Sequence, residues 1–231
     1  MRKLVVLLAM SAALPAKAQN AGEIVVTGQG LPAGLGDQAY DIKVIDRDRL
    51  QSSASGRLED LLRDAAGFHQ FRRSDSRSAH PTSQGASLRG LGGNASSRAL
   101  VLLDGVPVAD PFGGWIDWPA LDPNRLGFVR VVRGGGSGPF GSGALAGTIE
   151  LGSASHDQLP GLGGGISYGS RDSLIADAGV SGDLGGGFAT LSGRYDRGDG
   201  FVPILASQRG AADRPAEYRQ WSTRARAVIP V

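Results

Sequence analysis

The sequence predicts an α+β domain followed by a run of long antiparallel strands. Three observations carry that expectation. Between residues 41 and 151, short apolar runs with helix or strand period are separated by tight-turn signals. From Gly161 onward the pattern becomes an apolar-against-polar alternation over stretches of about ten residues. Glycine supplies 37 of 231 residues and cysteine none, so neither a disulfide framework nor a thiolate metal site is open to the chain.

The first residues address the chain to export. Arg2 and Lys3 precede an apolar run over residues 4–14, too short to cross a bilayer as a helix. Ala16-Lys17-Ala18 then has the small-x-small form of a signal-peptidase site, so residues 1–18 are expected to be a signal peptide and the rest to work outside the cytoplasm. Three of the 24 basic residues (Arg2, Lys3, Lys17) and none of the 22 acidic ones lie in that segment, leaving 21 against 22. The formal +2 is therefore no pointer to nucleic acid, and no long same-sign run points to another polyanion.

Residues 19–40 read as a flexible Gly-rich arm bearing one β-prone stretch, EIVVTG at 23–28. Residues 41–153 read as the compact domain. Ile42-Lys43-Val44-Ile45 is a short strand. Leu58, Leu61, Leu62 and Ala65 form the stripe of an amphipathic helix, and Gly67 suits its end. Residues 99–103 form a buried strand, and Asp104-Gly105 turns it into Val106-Pro107-Val108. Residues 128–132 and 148–151 are further strands.

Residues 154–231 hold the alternating part, with room for about four strands of transmembrane length. Leu162, Gly164, Ile166 and Tyr168 alternate with Gly163, Gly165 and Ser167, and the same period recurs over 174–181 and 220–229. Residues 184–187 make a tight turn, whereas 197–217 make a long loop. A transmembrane β-barrel with a wet interior has this signature, and so does an ordinary half-buried antiparallel sheet.

One motif points elsewhere at first sight. GSGPFG at 136–141 follows a strand and has the G-x-G-x-x-G form that cradles a dinucleotide pyrophosphate. That role needs a helix opening at the third glycine. Only six residues bounded by glycine separate it from the strand-like 148–151, and Pro139 removes a backbone donor, so the stretch reads as a glycine turn.

The runs ASLRGLGGNASSRALVLLDGVPVADPF and LDPNRLGFVRVVRGGGSGPFGSGALAGTIEL resemble the plug domain of TonB-dependent outer-membrane receptors. The likeness extends from about Glu23 to Leu151, with EIVVTG similar to the TonB box, LEDLLRDAAGF to the first plug helix, and Leu88-Arg89-Gly90, Leu103-Asp104-Gly105-Val106-Pro107 and Val132-Arg133-Gly134 to plug segments in order. It implies an α+β plug domain followed by the first antiparallel strands of an incomplete transmembrane β-barrel, in the outer membrane of a Gram-negative cell after Sec export. The implied function is a receptor or transporter for a scarce ligand such as a ferric siderophore or cobalamin. Arg130 departs from the family pattern where a glutamate is usual, and Glu150 where asparagine is common.

The resemblance also implies the partners: the periplasmic TonB C-terminal domain, outer-membrane lipid, and a small-molecule or metal-chelate ligand, with no nucleic acid. Glu23, Ile24, Val25, Val26 and Thr27 would add as a strand to TonB. Arg89 and Arg133 would serve contacts between plug and barrel. Arg72, Arg73 and Arg77 would meet an anionic chelate, while Trp115 and Trp118 would stack on a flat ligand. His69, His80 and His156 lack the spacing of a metal cluster, and no nucleophile–base or paired-carboxylate pattern points to an enzyme; no cofactor is expected. The alternative is an exported plug-like binding module without channel activity. A plugged barrel of this kind has roughly 22 strands, so the chain is expected to be a fragment, split gene product or remnant that does not transport alone.

Overall fold

The computed structural model describes residues 41–72, 75–90, 96–134 and 141–230. Its first part is built on a five-stranded sheet of order β1-β6-β7-β4-β5. β1 (Asp41–Ile45) leads into helix α1 (Arg47–Gln51), which Asp46 caps by accepting from the Arg49 N–H. The sequence patterning gave no sign of α1, because one turn of helix with a single buried apolar residue, Leu50, carries no period.

Helix α2 (Leu58–Leu61) continues as a 3-10 turn over Leu62–Asp64. The expected apolar stripe is there, with Leu58, Leu61, Leu62 and Ala65 all buried, but the helix is shorter than its pattern. Its N-cap, Arg57, offers no acceptor to the first amides, so packing rather than capping holds this turn. Two short strands, β2 (His69–Gln70) and β3 (Ala86–Ser87), pair as a separate ribbon.

β4 (Leu100–Leu103) and β5 (Val106–Pro107) form a hairpin on Asp104-Gly105, whose φ angles of +50° and +83° match the right-handed twist of the flanking strands. β6 (Leu126–Arg133) and β7 (Gly147–Ser153) are the antiparallel centre, and β4 pairs with β7 in parallel. Gly147 is required where it stands: at φ +124° a Cβ would strike the Val132 carbonyl oxygen. The core lies on one side of this sheet, where Val101, Val129, Val131 and Ile149 meet α1, α2 and the loop residues Ile116 and Trp118.

A 3-10 turn at His156–Gln158 leads to four antiparallel strands in the order β11-β10-β9-β8. They are β8 (Leu162–Gly169), β9 (Ser173–Leu184), β10 (Gly187–Gly198) and β11 (Tyr218–Val228). Gly185-Gly186, at φ +56° and +91°, makes the two-residue turn between β9 and β10, while residues 199–217 join β10 to β11. The long loop therefore starts two residues later than the sequence suggested. β10 escaped the alternation pattern because Phe188 stands on its polar face and Gly187, Gly193 and Arg197 interrupt its apolar one.

The register sorts the four strands into two faces. Arg194, Asp196, Gln220, Ser222, Arg224 and Arg226 turn toward the five-stranded domain. Leu162, Ile166, Val180, Leu191, Ala225 and Trp221 turn away from it and are exposed or half-buried. The polar face is thus the packed one and the apolar face the open one, the reverse of a soluble half-buried sheet. Among the described residues no helix is long and apolar enough to cross a membrane.

Candidate functional site

The seam between the domain and the sheet is built from charge. Asp122, the N-cap of the 3-10 turn Pro123–Arg125, accepts from the Asn124 N–H and faces Arg194 of β10 at 3.3 Å, with both side chains over nine-tenths buried. Arg194 also lies 3.5 Å from Asp196, its neighbour on the same strand face. Asp196 in turn meets Arg77 at 3.3 Å, and Arg77 grips Asp75 at 2.6 Å while stacking 4.7 Å over the Tyr218 ring. Arg57 closes the chain with Asp75 at 2.7 Å and Asp60 at 2.5 Å. Opposite charges alternate from the loop at 75–77 across to β10, as an ion network away from water requires.

A second contact lies further toward the β9–β10 turn. The Asp104 carboxylate accepts from the Ser153 N–H at 2.8 Å and its Oγ at 2.5 Å, tying the β4–β5 turn to the end of β7. Arg224 of β11 reaches the same carboxylate at 3.2 Å and Ser153 Oγ at 2.8 Å, and Arg226 donates to the Ala154 carbonyl. His156 bonds Ser181 at 2.8 Å and stacks near Phe188. Between the two contacts lies a cavity of about 380 Å³, with Arg47, Asn124 and Arg125 on the domain side and Gly163, Gly165, Thr190 and Ser192 on the sheet side.

Burial sets the ionisation of the domain's groups. Burial works to raise the Asp75 carboxyl, but hydrogen bonds from Arg77 and the charge of Arg57 outweigh it and hold it below the ordinary range. Glu59 goes the other way: burial pushes it up, and the Ser76 hydroxyl that donates to it does not reverse the effect. Burial likewise raises Asp117 and lowers the Arg125 guanidinium. Among the described residues no group of three or more metal-ligating side chains exists.

The residues singled out in the sequence fall into distinct places. Glu23, Ile24, Val25, Val26, Thr27 and Arg73 lie outside the described residues, as do five of the six residues of GSGPFG. Arg72 is exposed. Arg77 belongs to the charged seam, where its guanidinium is committed to Asp75 and Asp196. Trp118 is a correction to the ligand-stacking expectation: it is 1% exposed, edge-on to Phe68, and its indole N–H donates to the Gln84 carbonyl, so core packing takes both ring faces.

Trp115 is half-buried in a loop that Asp110 locks, its carboxylate accepting from the Phe112 and Gly113 amides. That rigid loop presents Phe112, 98% exposed, which the sequence reading passed over. Arg89, at φ +77°, is exposed in the turn after β3. Arg133 binds Asp41 and the Ala66 carbonyl, both within the domain. Arg130 and Glu150, both departures from the family pattern, form an ion pair with each other at 3.1 Å. Asp104, Asp122, Arg194 and Arg224 had no signal in the sequence beyond turn and strand positions.

Comparison with known proteins adds to this geometry. The family model described as TonB-dependent Receptor Plug Domain matches residues 35–148. The Vitamin B12 transporter BtuB of Vibrio cholerae serotype O1 is 27% identical over 191 residues, which cover 81% of this chain and 30% of that protein. A Hemin receptor of Yersinia enterocolitica is 29% identical over 189 residues, 80% of this chain and 25% of that one. The chain therefore spans under a third of the length of these relatives. Among solved structures, the Serratia marcescens hemophore receptor HasR, in complex with its hemophore HasA and heme, superposes with a TM-score of 0.59 at 20% identity, over 85% of this chain and 30% of that one.

Proposed function

We propose that this chain, which belongs to the TonB-dependent receptors through the plug domain at residues 35–148, acts in uptake of a scarce ligand of the siderophore, cobalamin or haem kind across an outer membrane. One observation carries the reading: the plug is seated by buried ion pairs, Arg194–Asp122 and Arg77–Asp196, on the polar face of a sheet whose other face is apolar and open. That is the arrangement of a plug against a barrel wall with lipid behind it.

The division of labour follows from position. Residues 1–18 direct export through the Sec pathway, and residues 19–40 form the arm whose stretch Glu23, Ile24, Val25, Val26 and Thr27 adds as a strand to the TonB C-terminal domain. The loop carrying Phe112 and Trp115 meets ligand, and the exposed Arg72 offers it a positive charge. Arg89 and Arg133 remain candidates for contacts to wall strands beyond β8–β11. The four strands described do not enclose the plug, so transport needs more wall than β8–β11 supply.

The test is coupling. Val25→Pro removes one ladder donor from the arm and leaves the plug untouched. The parent chain is expected to be retained on immobilised TonB C-terminal domain and the variant to be lost from it. Equal retention of both overturns the coupling role, and box-independent ligand capture without uptake favours a binding module without channel activity.

A further inference from the structure

Uptake past a seated plug requires plug and wall to part somewhere along their contact. The two regions of that contact differ in what parting would leave behind. At the charged seam, every group that reaches across also has a partner of opposite charge on its own side. Within the plug, Asp122 keeps Arg125 at 3.6 Å and Arg77 keeps Asp75 at 2.6 Å. Within the wall, Arg194 and Asp196 keep each other at 3.5 Å. Breaking a buried ion pair is costly because it leaves one charge alone; here neither side would hold a lone charge.

Arg194 has a further carboxylate beside it. The β9–β10 register sets Asp177 directly opposite Arg194, the spacing at which cross-strand side chains interact. Arg194 nevertheless turns to Asp122 and Asp196, and the Asp177 carboxylate forms no hydrogen bond or ion pair among the described residues. Asp177 is half-buried and borders the cavity of about 380 Å³, which leaves room beside it for a guanidinium. The second contact is built otherwise. Arg224 and Arg226 stand opposite Ser192 and Thr190, so neither faces a carboxylate on β10. Both converge on Asp104 of the plug, at 3.2 and 3.8 Å. Parting there would strand two guanidiniums on the wall.

We propose that Arg194 is an exchangeable latch: it passes from Asp122 of the plug to Asp177 of the wall when the plug moves, while the Asp104–Arg224 contact stays made as the pivot. The inference rests on the uptake reading and deepens it, because it gives the plug a direction of opening. The plug parts from the wall at Asp122 and Asp196 and stays attached at the β4–β5 turn. Asp177 is then a positioning residue, holding the arginine that has let go of the plug.

The experiment reads which carboxylate lies against position 194, using the whole chain in detergent micelles. The chain's only lysines are Lys3, Lys17 and Lys43, so Arg194→Lys places a single amine in the seam. A carbodiimide activates a neighbouring carboxylate, the amine attacks the acyl carbon, the urea leaves, and the resulting amide is located by peptide mass mapping. Arg77→Gln loosens the plug by breaking the other crossing pair. In Arg194→Lys alone, the amide is expected mainly at Asp122. With Arg77→Gln added, the ratio of the Asp177 product to the Asp122 product should rise about tenfold, as a minor state becomes a substantial one. In Arg224→Lys, coupling to Asp104 should be the same with and without Arg77→Gln.

A ratio unmoved by Arg77→Gln overturns the exchange, and so does loss of the Asp122 product without gain at Asp177. Coupling at Asp104 that falls in step with coupling at Asp122 overturns the pivot. An unchanged far-UV circular dichroism spectrum certifies that each variant is folded. Retention on immobilised TonB C-terminal domain is measured separately: failure there overturns the uptake reading, whereas an unmoved ratio with retention intact overturns only the latch.

Discussion

Arg130 on β6 and Glu150 on β7 are register partners in the plug sheet, and their side chains close to 3.1 Å with both mostly buried. Without Arg130, Glu150 would lose the guanidinium that the register places against it. Arg130→Ala is expected to cost about 1–2 kcal/mol, between an exposed pair and a fully buried one. Glu150→Arg should cost more, and the double exchange Arg130→Glu with Glu150→Arg should recover most of the loss. Urea unfolding of the parent, Arg130→Glu, Glu150→Arg and the double exchange, read as a double-mutant cycle, checks this; additive losses in the exchange would contradict it.

Arg194 couples plug to wall. Its removal leaves Asp122 and Asp196 buried beside an arginine too few, so Arg194→Ala is expected to destabilise the seam by about 3–5 kcal/mol. The exposed pair Arg49–Asp64 is a control inside the plug, and Arg49→Ala should cost under about 1 kcal/mol. Protease cleavage between residues 154 and 161 reports the seam directly, and should accelerate in Arg194→Ala and not in Arg49→Ala.

The ordered motifs of the plug were legible because turn chemistry is local: Asp104-Gly105 adopts the backbone that its dipeptide demands, and the stripe from Leu58 to Ala65 is buried as its spacing requires. The wall was legible as alternation in β8, β9 and β11, though the pattern alone does not say which face meets the plug. The charged seam was not legible. Asp122 and Arg194 are separated by 72 residues, and nothing in either neighbourhood distinguishes them from solvated charges. Trp118 was misassigned for a related reason: an aromatic in a loop has no period to reveal that its ring turns inward.

Trp118 and Phe112 separate stability from binding. Trp118→Ala opens the core beside Phe68 and removes the bond to Gln84, an expected loss of about 3–5 kcal/mol. Phe112→Ala removes a ring that touches solvent and should stay within about 0.5 kcal/mol of the parent. Urea midpoints measure both. A large loss in Phe112→Ala would show that its ring is structural and would remove it from the proposed ligand contacts.

Acid should act on the plug in two opposed steps. Glu59 is 3% exposed and its carboxyl is raised by burial, so its charge costs stability at neutral pH, a cost that vanishes as pH falls through the raised value toward the unfolded one. Asp75, held low by Arg77 and Arg57 against its burial, contributes stability above the ordinary carboxylate range and loses it as pH falls through the lowered value. Plug stability is therefore expected to rise on mild acidification and then to fall. Glu59→Gln keeps an acceptor for the Ser76 hydroxyl while removing the charge. It should raise stability at neutral pH and abolish the mild-acid rise; a profile superimposable on the parent's would contradict the assignment.

The two outer strands of the wall set the final expectation. β8 and β11 each pair on one side only among the described residues, so half of their N–H and C=O groups face outward along the sheet plane. In water that edge is a hazard for pairing with other chains. In hydrocarbon it is prohibitive, because each unpaired group costs several kcal/mol, and β11 alone runs for 11 residues. The apolar face favours entry into a bilayer while the edges oppose it, and the edges win on magnitude. These 231 residues alone are therefore expected to enter phosphatidylcholine vesicles only when the edges are paired, by further wall strands or by other copies. Chemical cross-linking after reconstitution checks this: inserted protein should migrate as oligomers, and co-expressed wall strands should replace them with a heat-modifiable complex. Monomers that insert and resist extraction would show that the edges are satisfied in some other way.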